Sequence, residues 1–524
     1  MPSRIQITAW FVSVSQSMTA RCHSMTLNSL FKFTLLGTLA IKLVLAGIMP
    51  MSGDEAYFIV WAKHLDFGYY DHPPMVGWLL HLLLYLGSAE VLMRLPAILL
   101  ATLIGLGLYQ LLKPYDETRA TLVALLFLIT PINILNVLIT TDTPLILFAS
   151  LSAVALFKAL QQNSRVWYSL AGALLGMAFL SKYFAVLLGL GYLAYFIFSA
   201  RSKQKTQGFI LLYASVVPFV LINIYWNYTH CWDNILFNLY NRHEGDQWSL
   251  GKVVFFWGAQ VYMLTPPVIY YLFRRRAELV QKLTGSPFVL FGFVFVLPMA
   301  VFALLSLKKV IGLHWLLAFY PFLYVLLFVY LSREELVKTF KFMAWFSAAH
   351  LAVIAIIVAL PMETWKQHRL YEGIVFMFEN EKIVEQVRPY EQQQFMLATD
   401  SYSSSAIISY HYGKNFFVFG DGSRHARQDD LITDFRQYEG RNVLIVKKSA
   451  PDLMQYVQYF QSVESKQMVL RGVTFYFVLG YGFDYASYRE SVLTPIKDKY
   501  YRIPGYLPHA PCYFCEKYFP GEAS

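Results

Sequence analysis

Charge is scarce in this 524-residue chain. Only 15% of residues are Asp, Glu, Lys or Arg, where a soluble globular domain carries roughly 25%. A chain this poor in charge and 57% hydrophobic, with mean hydropathy +0.44, is not a set of soluble domains. Cysteine is scarce too. The four, Cys22, Cys231, Cys512 and Cys515, are too few for a disulfide framework. Cys512 and Cys515 form a lone CxxC, short of the four ligands of a structural zinc site. It reads as a local disulfide or as unpaired thiols. The net charge of +10 lies in short clusters between apolar runs, with no long basic stripe, so nucleic acid is excluded as a partner. No internal repeat and no low-complexity tract is visible. Residues 1–28 lack the compact apolar core and small-residue site of a cleaved signal and read as a cytoplasmic segment.

Long apolar runs are plentiful. Segments that meet or approach the ~20 residues needed to span a bilayer occur near 30–50, 91–112, 120–139, 144–160, 167–181, 183–199, 208–226, 253–273, 287–306, 312–331 and 341–360. The shorter run 74–87 follows Pro73-Pro74 and reads as interfacial or re-entrant. With the N-terminus inside, the inside loops carry Lys113 and Arg119, then Lys158 and Arg165, Arg201, Lys203 and Lys205, Arg274 to Arg276, and Arg333, Lys338 and Lys341. Every one is basic, as the positive-inside rule requires. Counting 74–87 as a span would turn these clusters outward. The expected architecture is therefore a polytopic α-helical membrane protein with about eleven transmembrane helices over 29–361.

Beyond 361 the composition shifts to charged and turn residues. Extended segments at 395–399, 416–420, 442–447 and 474–480 alternate with helical patterns at 402–412 and 452–462, which predicts an α/β domain over 362–524. An odd number of spans puts it outside.

Four outside segments then meet at one membrane face: 51–73, 140–143, 227–252 and 306–311. The first holds Gly53-Asp54-Glu55-Ala56-Tyr57 and Tyr69-Tyr70-Asp71-His72-Pro73-Pro74. Paired carboxylates beside lipid are costly unless they face water, a cation or a substrate. Asp54 in a cleft could accept a proton from a hydroxyl, or the pair could be a helix N-terminus. Thr140-Thr141-Asp142-Thr143-Pro144 offers a second acid that can equally cap a helix. Arg242, His243, Lys308, Lys309 and His314 bring cations to the outer face, against the inside bias, where they suit an anionic headgroup or phosphate. Snorkelling lysines and solvent-exposed histidines are the plainer alternative. Lys182 lies near the same face. Lys42 sits mid-span with no evident role.

Asp-Glu-Ala-Tyr directly after the first span, an X-Pro-Pro element about 18 residues later, and a Thr-Asp-Thr-Pro turn together resemble the GT-C membrane glycosyltransferases. The branch is that of bacterial protein-mannosyltransferase-like enzymes and the lipid A aminoarabinose transferase. The resemblance implies an inverting hexosyl or pentosyl transfer from a polyprenyl-phosphate sugar to lipid A, an envelope glycan or a protein, at the periplasmic face of the bacterial inner membrane. It assigns catalysis to Asp54, with Glu55 beside it, and Asp142; the candidates to bind the donor phosphate are the outer-face cations His72, Lys182, Arg242, His243, Lys308, Lys309 and His314. The aminoarabinose branch has Glu-Lys before the two prolines; Asp71 and His72 stand there instead. No metal is required if side chains supply the positive charge; a divalent ion held by Asp54 and a phosphate is the alternative. From another class, a transporter or flippase of a lipid-linked sugar shares the many spans and intramembrane charges, but would place its charges near the midplane.

Overall fold

The computed structural model describes residues 26–199, 202–241, 247–423, 427–509 and 511–521. Helices dominate the first 360 residues. They are α1 (Leu27–Ile48), α2 (Gly53–Lys63), α3 (Met75–Leu84), α4 (Glu90–Leu112), α5 (Glu117–Ile129), α6 (Asp142–Gln162), α7 (Arg165–Phe179), α8 (Ala185–Phe198), α9 (Lys203–Thr229), α10 (Leu250–Leu264), α11 (Pro266–Arg274), α12 (Val289–Leu305), α13 (Tyr320–Tyr330) and α14 (Arg333–Ala359). Each apolar run read from the sequence contains helix, but 136–139 and 317–319 fall outside it. Among the described residues, α1, α4, α6, α9 and α14 are long and apolar enough to cross a membrane unaided, and α10 with α11 would make a sixth, bent by 96°. Pro266-Pro267 and Thr265 at φ +68° cause the bend, because proline removes the donors that would continue the helix. Likewise α5 stops at Thr130-Pro131, short of the expected 139.

The outer helices expose apolar side chains, among them Ile210, Val217, Leu221 and Ile224 on α9 and Trp345, Val353, Ile356 and Ile357 on α14. Such belts suit lipid, which does not drive apolar groups inward. Mid-span Lys42 is buried and donates to the Ala97 carbonyl (2.8 Å), so the ammonium is met inside the bundle rather than by lipid.

The C-terminal part is an α/β domain, with helices α15 (Tyr371–Phe378), α16 (Asn380–Gln392) and α17 (Tyr402–Tyr412) around a sheet. Its strands are β1 (Met396–Thr399), β2 (Phe417–Val418), β3 (Val443–Lys447), β4 (Phe460–Leu470) and β5 (Val473–Phe483), in the order β2-β1-β3-β5-β4. The first three are parallel; β5 and β4 are antiparallel additions. The helix expected over 452–462 is corrected: it is one turn, Met454–Val457, and from Phe460 the chain is a strand. β4 is an edge strand, mostly exposed between buried Phe460 and Leu470, so it lacks the apolar alternation that marks a half-buried strand. Its pairing is fixed by the turn. Leu470 faces Val473, and the two residues between, Arg471 (φ +47°) and Gly472 (φ +76°), both adopt positive φ, as a two-residue hairpin turn needs.

The CxxC, open in the sequence between a local disulfide and unpaired thiols, is neither. Cys512 bonds Cys231, 281 residues away, and Cys515 is buried nearby. The bridge fastens the C-terminal tail to the loop after α9. Neighbouring contacts reinforce it: the Cys231 N–H donates to the Pro511 carbonyl (3.1 Å) and the Tyr513 hydroxyl to Asp233 (2.7 Å).

Candidate active site

The first acidic pair opens α2. Ser52 is its N-cap and forms a capping box with Glu55, which satisfies two backbone donors that a helix start leaves unpaired. Glu55 is 1% exposed and Arg94 is wholly buried. Arg94 Nε and Nη2 donate to the two Glu55 oxygens, each at 2.8 Å. The same guanidinium donates to the carbonyls of Ala46 and Met49 (2.7 Å each) and Pro50 (2.8 Å), so it also caps the end of α1. Glu55 further accepts from the Ile139 N–H (3.2 Å). One carboxylate thus joins α1, α2, α4 and the loop before α6. The expectation that Glu55 reacts alongside Asp54 meets a different arrangement, since both its oxygens are already engaged.

Asp54 is exposed, one residue away. Its Oδ1 accepts from the Tyr402 hydroxyl at 3.1 Å. Tyr402 opens α17 of the α/β domain, so the two parts of the chain meet at this carboxylate. The phenol is pushed above its ordinary range, first by burial and then by the negative charge of Asp54, which keeps it a donor.

Asp142, the first residue of α6, is buried and paired with Lys182 from the turn between α7 and α8. Lys182 Nζ lies 2.9 Å from both carboxylate oxygens. Lys182 also sits over the Phe184 ring (5.1 Å), and Phe184 packs on Trp315 at 5.0 Å, beside His314. The Pro-Pro turn docks on this corner: the Met75 N–H donates to the Leu180 carbonyl (3.0 Å). His72, partly buried just before it, accepts through its carbonyl from the Tyr69 N–H (3.0 Å).

The loop after α9 closes on the same turn. Asn234 donates to the Tyr69 carbonyl (2.7 Å) and Asn238 to that of Asp71 (3.2 Å). The turn after α12 is tied to the segment before α10, with the Ser249 N–H donating to the Leu307 carbonyl (3.0 Å) and Lys252 to that of Lys308 (2.7 Å). Lys308 and His314 are exposed and Lys309 is partly so; Lys308 lies over Trp248 (5.1 Å). Among the described residues, no hydrogen bond or ion pair joins Lys308 to Asp54 or Asp142. Arg242 and His243 lie outside the described residues.

The structure therefore clusters Asp54, Glu55, His72, Asp142 and Lys182 through direct contacts of the segments that carry them. His314 lies beside Trp315, which packs on Phe184, while Lys308, on the turn after α12, lies over Trp248. Two site residues escaped the sequence reading. Arg94 had a signal, as a single arginine in the apolar run 91–112. Tyr402 had none, being 348 residues from Asp54. Among the described residues no three His, Cys, Asp or Glu side chains gather as metal ligands.

A family model described as dolichyl-phosphate-mannose-protein mannosyltransferase matches residues 71–226, a stretch that includes Asp142 and Lys182. Lipid A galacturonosyltransferase RgtD of Rhizobium johnstonii is 26% identical over 229 residues, 42% of this chain and 47% of the relative. The match thus spans about half the length of that curated relative. Crystal structures of ArnT from Cupriavidus metallidurans share the fold at 14% identity. The form bound to undecaprenyl phosphate has a TM-score of 0.59, covering 85% of this chain and 97% of that one. The apo form has 0.60, covering 86% and 98%. With the fold of ArnT and the apolar helices that go with it, this multi-pass membrane protein resembles the GT-C superfamily glycosyltransferases, the lipid A transferases among them.

Proposed function

We propose that the chain is an inverting glycosyltransferase that moves a sugar from a polyprenyl-phosphate donor to lipid A or another envelope glycan. The observation that carries this is the contrast at the head of α2. Glu55 is locked by Arg94, which leaves the adjacent Asp54 exposed and held by Tyr402, on a helix that Glu55 ties to the loop before α6, where Asp142 pairs with Lys182. Asp54 accepts the proton of the acceptor hydroxyl. The hydroxyl oxygen attacks the anomeric carbon, and the carbon–oxygen bond to phosphate breaks with its electron pair leaving on the phosphate. A single displacement inverts the centre, by analogy with inverting hydrolases. The departing phosphate needs positive charge more than a proton. Lys182, with one N–H beyond the two that meet Asp142, and His72, Lys308, Lys309 and His314 are the proposed sources; Arg242 and His243, candidates by sequence, lie outside the described residues. No metal enters this scheme.

The undecaprenyl phosphate of the ArnT structure supports the donor class, and the lipid A galacturonosyltransferase relative supports a lipid A or glycan acceptor over a protein hydroxyl. We place all eleven apolar segments across the bacterial inner membrane and the α/β domain in the periplasm. The basic inside loops support this, and so does the Cys231–Cys512 bridge, since disulfides persist in oxidising compartments.

The test is transfer by purified protein in nanodiscs, given a synthetic polyprenyl-phosphate sugar and lipid A. Wild type transfers; Asp54→Asn folds and falls to a small residual rate. Wild-type turnover by Asp54→Asn would remove Asp54 from the mechanism.

A further inference from the structure

We infer that Tyr402, from the α/β domain, is the positioning residue for the Asp54 carboxylate, so that the domain supplies part of the active site. The inference rests on the glycosyltransferase reading above. Three observations carry it.

First, the Tyr402 hydroxyl donates to Asp54 Oδ1 at 3.1 Å, and among the described residues Oδ2 accepts from no protein donor. One oxygen is fixed and the other is left for a substrate hydroxyl. A carboxylate on a helix N-terminus has freedom about χ1 and χ2, and this single bond removes most of it.

Second, the tyrosine is itself held. Its ring meets Tyr57 edge-on at 5.2 Å. Tyr57 is buried, and its hydroxyl accepts from the Gln428 N–H (3.2 Å), which belongs to the α/β domain. The positioning group is thus fixed from both sides, as a working carboxylate needs.

Third, α17 lies directly on α2. A Cβ on Gly53 would fall 2.2 Å from Ser403 Oγ, so there is no room for any other residue between the helix that carries the acid and the helix that carries the tyrosine.

Tyr402 moves no proton, because burial and the facing carboxylate keep its phenol protonated. It orients Asp54 while Oδ2 takes the acceptor proton. The test is steady-state transfer by Tyr402→Phe, which keeps the ring against Tyr57 and loses only the hydroxyl. The expected result is a kcat lowered by roughly tenfold or more, the scale of one hydrogen bond to a charged group, with the KM for the donor unchanged and the melting temperature within a few degrees of wild type. In the Asp54→Asn background the same substitution has no further effect on the residual rate. Placing 4-aminophenylalanine at 402 returns an N–H donor to the same point and restores much of the lost rate; because it retains the packing, it also serves if Tyr402→Phe folds poorly. An active wild type whose kcat is unmoved by Tyr402→Phe, or whose loss persists equally without Asp54, overturns the inference alone. A wild type that transfers no sugar overturns the functional reading and this inference with it.

Discussion

Arg94 and Glu55 face each other through two parallel N–H···O bonds of 2.8 Å, both side chains sealed from solvent. The guanidinium also reaches three carbonyls at the end of α1. Removing one partner strands the other charge in a site without water, at a cost of about 3–5 kcal/mol. Glu55→Ala and Arg94→Met should each lower the melting temperature in detergent sharply and reduce yield, with activity falling in proportion to folded protein. A folded, stable Glu55→Ala with no transfer would instead return Glu55 to the chemistry.

Asp142 and Lys182 should behave differently. Asp142→Asn leaves the Lys182 ammonium without its carboxylate and should destabilise by about 3–5 kcal/mol. The double variant Asp142→Leu with Lys182→Met removes both charges and should regain most of that stability. It should not regain transfer, because the ammonium proposed to meet the phosphate is gone. Thermal melting and donor turnover, measured on the same preparations, separate the two effects.

Asp429 supplies a pH dependence. It lies half-buried at the edge of the sheet, its Oδ2 accepting from the Val418 N–H and the Thr433 hydroxyl (3.1 Å each), and desolvation of the carboxylate pushes it from 3.8 up to about 7. The folded state holds this proton more tightly than the unfolded chain. The stabilisation is therefore full below about 3.8 and fades as the pH rises to about 7. Asp429→Asn should flatten the fall in melting temperature between pH 5 and pH 7.5 by about the contribution of that one group. An unchanged slope would remove Asp429 as its source.

Cys231 and Cys512 should yield one cross-linked peptide pair in a non-reducing digest. Cys512→Ser should cost about 2–5 kcal/mol, since the bridge closes a 281-residue separation. A pair formed by Cys512 and Cys515 would refute this connectivity. For orientation, a cysteine at exposed Ser462 on β4 should react with a membrane-impermeant maleimide in intact spheroplasts. Reaction only after lysis would reverse the topology.

Much of this architecture was legible because bilayers write strong patterns. Apolar runs and basic loops marked the helices, and the segment 402–412 was read to its observed bounds. The site was legible where it was local: Gly53-Asp54-Glu55 and Thr141-Asp142-Thr143 announced themselves as acids at helix starts. Long-range partners left no local mark. Nothing near Cys512 points to Cys231, and nothing near Asp54 points to Tyr402. Two adjacent acids also look alike in a sequence, although one is locked by Arg94 and the other is open; only burial tells them apart. β4 was lost because an edge strand can be polar along most of its length.

The interlock of Gly53 with Ser403 bears on how such chains can be recombined. A hybrid joined at residue 360, where composition suggests a clean seam, would match one parent's α2 with the other's α17 and jam any side chain larger than glycine at position 53. A workable exchange has to carry both helices from the same parent, so the two halves are inherited as one piece.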